Sequence, residues 1–154
     1  LVTQEFWRVE GVHYTETYSP TPSTTLIWMI LATVAAKDGE LRHFDAEAFL
    51  KADIDEELYI KIPEKYQKFP RAVGRLNNAM YGLVQAGRCW NNKFCSDMTV
   101  IGFEQGKADP CVFRKVVDGE AEVVVVVHVN DILAHAKDKT TLNRFAAELE
   151  QNSN

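Results

Sequence analysis

The chain has no CxxC pair and no other cysteine spacing that would hold a metal; Cys89, Cys95 and Cys111 are its three cysteines in 154 residues. That excludes a zinc ribbon and a disulfide scaffold, and an odd count fits either a reducing compartment, cytoplasm or nucleus, or simple core cysteines. Long apolar runs are missing too. The longest helical one, Leu26 to Ala36, is shorter than the about 20 residues that cross a bilayer, so no membrane partner is expected. No repeat, Gly/Ser linker or low-complexity tract divides the sequence, which leaves one domain. A signal peptide is absent and residue 1 is Leu rather than Met. The chain therefore reads as a fragment or a processed product, with a secreted product as the alternative. A positive surplus is also lacking: the net charge of -5 argues against a dedicated nucleic-acid binder.

What is present is unevenly spread. Between Lys61 and Lys93 stand seven basic residues (Lys61, Lys65, Lys68, Arg71, Arg75, Arg88, Lys93) against one acid, Glu64. Such a field could hold phosphates or could be a solvated face. Ahead of it, Ser23 or Thr24 can cap a helix over "LIWMILATVAA", apolar nearly all round and so expected to be buried, with Lys37, Asp38 and Gly39 as its stop. "LRHFD" (41–45) reads as a short strand ending on a carboxylate, and "ELYIKI" (57–62) as an extended segment stopped by Pro63.

Trp90, Phe94, Met98 and Ile101 recur at helical spacing from Ala86 onward, a core stripe that Gly102 ends. "CVFRKVV" and "AEVVVVVHV" flank Asp118-Gly119, a strong hairpin signal. A second tight turn at Asn130-Asp131 leads into "ILAHA", making a three-stranded meander. Leu142, Phe145, Ala146 and Leu149 then draw an amphipathic helix opened by Asp138. Helices on one face of an antiparallel sheet predict an α+β fold.

Two carboxylates now invite a chemical reading. Asp45 ends one strand and Asp131 sits at the turn of a hairpin; if those strands are neighbours, the acids converge at one sheet edge. Paired acids at strand ends are what two-metal phosphoryl transfer requires, since each Mg²⁺ takes hard oxygen ligands. The plainer reading is that an Asp in a tight turn serves the turn. A metal site made of His128, Asp131 and His135 is a further alternative, although side chains along a hairpin need not converge. His13 and His43 carry no readable signal.

Five motifs, in order along almost the whole chain, carry a resemblance: "LVTQEF" with "EGVHYTETYSP", "LRHFDAEAFLKADIDEELYIKIPEKY", "GRLNNAMYGLVQAGRCW", "ADPCVFRK" and "VVVHVNDILAHAKD". Together they resemble the reverse transcriptase of copia-type retrotransposons. The resemblance implies a fingers-and-palm polymerase core, with about 1–40 and 53–85 fingers-like and 41–52 and 86–154 palm-like. It implies RNA-directed DNA synthesis, with an RNA/DNA primer-template and dNTP as partners and Mg²⁺ or Mn²⁺ as cofactor. The metals would be held by Asp45 and Asp131, with position 130 as the third catalytic place. Phe49, Gln85 and Arg88 would lie at the nucleotide, and Arg75 and Lys93 at the nucleic acid.

The sequence departs from the family's pattern at telling places. The family's Tyr-Val-Asp-Asp turn reads His128-Val129-Asn130-Asp131, so a neutral amide stands where a metal-ligating carboxylate belongs. Three residues, not four, separate Asp45 from Phe49. Three family lysines are Asn77, Asn78 and Val84, and neither the basic segment before the first motif nor the thumb and RNase H regions are present. The expectation is a polymerase core with impaired catalysis. The alternative is a non-enzymatic interaction module that keeps the fold and binds a protein partner.

Overall fold

The computed structural model describes residue 11, residue 14, residues 16–46 and residues 52–152. Its helices and strands come in runs, as the α+β expectation requires: α1 (Thr24–Ala36), β1 (Glu40–Asp45), β2 (Asp53–Lys61), β3 (Val73–Asn78), α2 (Ala86–Val100), β4 (Glu104–Gln105), β5 (Val112–Val117), β6 (Glu120–His128), β7 (Asp131–Ala136) and α3 (Lys139–Asn152). Five strands form an antiparallel sheet in the order β1-β7-β6-β5-β4, and β2 and β3 form a separate hairpin.

Local chemistry explains the boundaries. Ser23 caps α1 by accepting the Leu26 N–H at 3.2 Å, and Asp138 opens α3 by accepting the Thr141 N–H at 2.9 Å. Asp118 and Gly119 both take positive φ, 52° and 83°, the type I′ geometry that matches strand twist in a two-residue hairpin. Gly102, at φ 86°, ends α2 where a side chain would be strained.

The core lies on one face of the large sheet. Val123, Val125 and Val127 of β6, Ile132, Ala134 and Ala136 of β7, and Phe113 of β5 meet Trp90, Phe94 and Met98 of α2 and Leu142 and Phe145 of α3. Phe94 stands edge-on to Phe113 at 5.5 Å and Phe44 to Phe145 at 5.7 Å. Each fully buried Phe or Val here is worth about 1.5–3 kcal/mol.

Two expectations need correction. α1 is not buried: Val34 is its one buried residue, while Trp28 and Met29 are 66% and 62% exposed. Apolar composition sets a preference for burial, but a covering surface has to come from elsewhere in the fold. The second hairpin turn is centred on Val129-Asn130, one residue earlier than expected, because His128 pairs with Asp131 and Asp131 already belongs to β7.

Candidate active-site edge

Strand pairing brings the two acids together. β1 runs antiparallel to β7 with Asp45 directly across from Asp131. Side chains directly opposite in an antiparallel pair point to the same face with Cβ atoms typically about 4.5–5.5 Å apart. Phe44 and Ile132, the next pair in the register, point the other way, into the core. The carboxylates therefore lie on the face opposite α2 and α3, and both are exposed. Like charges across a ladder repel, so this edge favours a cation or a donor.

One donor is supplied by the chain itself. His43 Nε2 lies 2.7 Å from Asp131 Oδ1. Two-residue alternation along β1 places His43 on the face of Asp45, a signal already present in the sequence. Both side chains are more than half exposed, so the contact adds little to stability.

The turn that delivers Asn130 and Asp131 is strained and braced. Val129 has φ 57°, the first central position of a type II′ turn, which glycine prefers and a β-branched residue avoids. Such backbone costs about 1–3 kcal/mol and persists only where its surroundings over-determine it. Here they do. The indole Nε1 of Trp90 donates to the Val129 carbonyl at 2.8 Å, and the Ala46 N–H donates to the Asn130 carbonyl at 3.0 Å. The Asn130 amide nitrogen donates to the Tyr81 hydroxyl at 3.3 Å. The helical spacing of Trp90 predicts a core residue, which its burial bears out, but no local pattern signals its bond to Val129 or the Tyr81 contact.

Asn130 carries an anomaly. Its Oδ1 is buried without a hydrogen-bond partner. Rotating the amide would let the Tyr81 hydroxyl donate to Oδ1 and leave the nitrogen unpartnered instead, so either orientation leaves one polar atom unpaired. An unpaired buried polar atom costs about 1–3 kcal/mol. A carboxylate at this position would turn that atom into a buried anionic oxygen.

The donor set is thin for metal chemistry. Two carboxylates and one amide oxygen bring two negative charges, and His43 engages one of the carboxylates. Among the described residues no three His, Cys, Asp or Glu side chains group to hold a metal ion. These donors suit at most one weakly held hard cation and do not fit a pair. The His128, Asp131 and His135 alternative fails on the same ground, since Asp131 and His135 stand four residues apart along β7, about 13 Å at the rise of a strand.

The other expected site residues are dispersed. Gln85 is 4% exposed and donates to Glu56 Oε2 at 3.2 Å. Arg88 pairs with Glu16 at 2.6 Å, Lys93 with Asp97 at 3.0 Å and, more loosely, Arg75 with Glu57 at 3.9 Å. Lys93 and Asp97 also line a polar hollow of about 250 Å³ with Asp53, Cys89, Asn92 and Ser96. Phe49 lies outside the described residues. No described helix is long and apolar enough to cross a membrane.

A family model described as "Reverse transcriptase (RNA-dependent DNA polymerase)" matches residues 1–154. The chain is 33% identical over 152 residues to the Retrovirus-related Pol polyprotein from transposon TNT 1-94 of Nicotiana tabacum, covering 97% of this chain and 11% of the polyprotein. It is 30% identical over 154 residues to the Retrovirus-related Pol polyprotein from transposon RE1 of Arabidopsis thaliana, covering 98% of this chain and 10% of the polyprotein. It is 31% identical over 105 residues to the Transposon Ty1-GR3 Gag-Pol polyprotein of Saccharomyces cerevisiae, 68% of this chain and 6% of that protein. The chain thus spans about a tenth of the plant polyproteins it matches. No solved structure matches it.

Proposed function

The chain belongs to the reverse transcriptase family of copia-type transposon Pol polyproteins, and from that premise we propose that it is a polymerase core whose capacity for DNA synthesis is strongly reduced. In this reading the five-stranded sheet with α2 and α3 is the palm-like part (41–52 and 86–154), and the β2–β3 hairpin belongs to the fingers-like part (1–40 and 53–85). Asp45 and Asp131 are the surviving acids at the metal edge, and RNA/DNA primer-template and dNTP are the partners.

The observation that carries the reading is Asn130. Its turn is held by Trp90 and Ala46 and its amide nitrogen by Tyr81, while its side-chain oxygen is buried, neutral and unpaired. A divalent cation supplies charge stabilisation to phosphoryl transfer when bound. This chain offers it two carboxylates instead of three, with Asp131 shared with His43. Arg75, Arg88 and Lys93 can meet phosphates only by exchanging Glu57, Glu16 and Asp97 for them, which lowers the gain from each.

Primer extension with Mg²⁺ and with Mn²⁺ tests the proposal. The expected result is no extension by the chain as it stands in either metal. Robust extension would contradict it.

A second reading, an interaction module on the same fold, has its support in α1, whose Trp28 and Met29 side chains stand in solvent. Solvent-facing large apolar side chains on one helix suit a protein partner. Substituting both by Ser would leave primer-template binding intact and abolish capture of such a partner.

A further inference from the structure

The connection between β2 and β3 is built rigidly, and it is built to hold two aromatic rings in solvent. A 3-10 turn at Glu64–Tyr66 follows Pro63. The Gln67 side chain then spans the loop: its Nε2 donates to the Ile62 carbonyl at 2.6 Å, and its Oε1 accepts the Arg71 N–H at 3.2 Å. Backbone bonds from Ile62 to Ala72 and from Ala72 to Phe69 close the base. Despite this bracing, Tyr66 is 68% and Phe69 73% exposed. Two exposed rings three residues apart on a hydrogen-bonded loop suit a binding surface.

The charge of the loop is as uneven as its exposure. From Lys61 to Arg71 there are four cations (Lys61, Lys65, Lys68, Arg71) and one acid, Glu64, in a chain whose net charge is -5. Arg75, Arg88 and Lys93 are each matched to a carboxylate. None of the four loop cations has an ion-pair partner among the described residues. Cation and ring alternate in register: Lys65-Tyr66, one residue, then Lys68-Phe69. Lys65 Nζ lies 5.7 Å from the Tyr66 ring centroid.

We propose that the loop 61–71 is a contact surface for single-stranded nucleic acid, with Tyr66 and Phe69 stacking on unpaired bases and Lys61, Lys65, Lys68 and Arg71 meeting the phosphates between them. A duplex offers phosphates but no free base faces, and an acidic protein offers charge without flat faces to stack on. A single strand offers both at once. The proposal rests on the polymerase reading only in taking nucleic acid as the partner; it needs neither metal nor synthesis.

Fluorescence anisotropy without metal or nucleotide tests it, using labelled oligothymidine and a blunt duplex of equal length. The double variant Tyr66→Ala/Phe69→Ala should bind the single strand at least about tenfold more weakly, with its salt slope unchanged and duplex binding unaffected. Lys65→Gln/Lys68→Gln should instead flatten the dependence of log affinity on log salt by about 0.7 per lost contact. All four side chains are exposed, and an unchanged unfolding midpoint confirms that each variant is folded. The proposal is overturned if the unmodified chain fails to bind oligothymidine at low salt, or if the aromatic variant binds like the unmodified chain. Equal losses on single strand and duplex would overturn it too, as would sedimentation showing that the rings join two copies of the chain. Because no metal or nucleotide is present, failure here leaves the primer-extension result to judge the polymerase reading separately.

Discussion

Strand β6 behaves as two different materials along its length. From Val123 to Val127 it alternates into a core of aromatic rings from α2, α3 and β5, with Val123 and Val125 at 2% and 0% exposure. One residue past His128 the backbone takes φ 57° at a valine, and the next side chain holds a buried oxygen with no partner. The interior is satisfied; the tip is strained and incomplete. Apolar packing tolerates no vacancy without loss of stability, whereas a ligand carboxylate can become an amide and leave the fold standing. Under the proposed function, fold and chemistry rest on separable sets of residues, and the loss falls on the second.

Variants can break that comparison from either side. The largest effect is expected from the interior. Phe94→Ala should cost about 3–5 kcal/mol, read by urea unfolding, because Phe94 is 2% exposed and touches Trp90 and Phe113. A loss below about 1 kcal/mol would mean that the core is looser than its packing suggests.

Trp90→Phe sits on the boundary between the two regions. It keeps a ring beside Phe94 but leaves the Val129 carbonyl without its donor, at a cost of about 1–3 kcal/mol. Hydrogen exchange should quicken at the Ala46 amide, which bonds the Asn130 carbonyl, and stay slow at Val125. Equal quickening at both would show that Trp90 serves only the core.

Val129→Gly probes the strain directly. Glycine suits φ 57° and the valine is already 37% exposed, so stability should rise by up to about 1 kcal/mol. A decrease in the unfolding midpoint would mean that the turn is not strained in solution.

The smallest effect belongs to neither region and calibrates both. Asp138 titrates below the ordinary carboxylate range, chiefly because it accepts the Thr141 N–H. Its folded pKa is depressed, so its contribution is present above the unfolded Asp value and is lost as pH falls through the folded one. Asp138→Ala should therefore lower the unfolding midpoint slightly at neutral pH and leave it unchanged in strong acid.

Much of the interior was legible in the sequence. The Trp90, Phe94 and Met98 stripe, the Asp118-Gly119 turn and the convergence of Asp45 with Asp131 all follow from patterns of two to four residues or from ordered motifs. The rest depended on contacts between distant segments. Glu16, Glu57 and Asp97 decide whether Arg88, Arg75 and Lys93 are free, and Lys93 alone meets its acid within one helix. Exposure of α1 required knowing that the large sheet's core is filled by α2 and α3. The His43 contact could have been found from strand alternation, while the Trp90 bond to Val129 links side chain and carbonyl across 39 residues, beyond any local pattern.

Whether the braced turn lacks only a charge is decided by titrating Mn²⁺ into the unmodified chain and into Asn130→Asp, with calorimetry and unfolding midpoint read together. Asn130→Asp should lower the midpoint without metal, because the new carboxylate is placed where a buried oxygen already lacks a partner. Mn²⁺ should then restore it with measurable affinity, while the unmodified chain shows little response to the ion. Equal Mn²⁺ binding by both forms would contradict it.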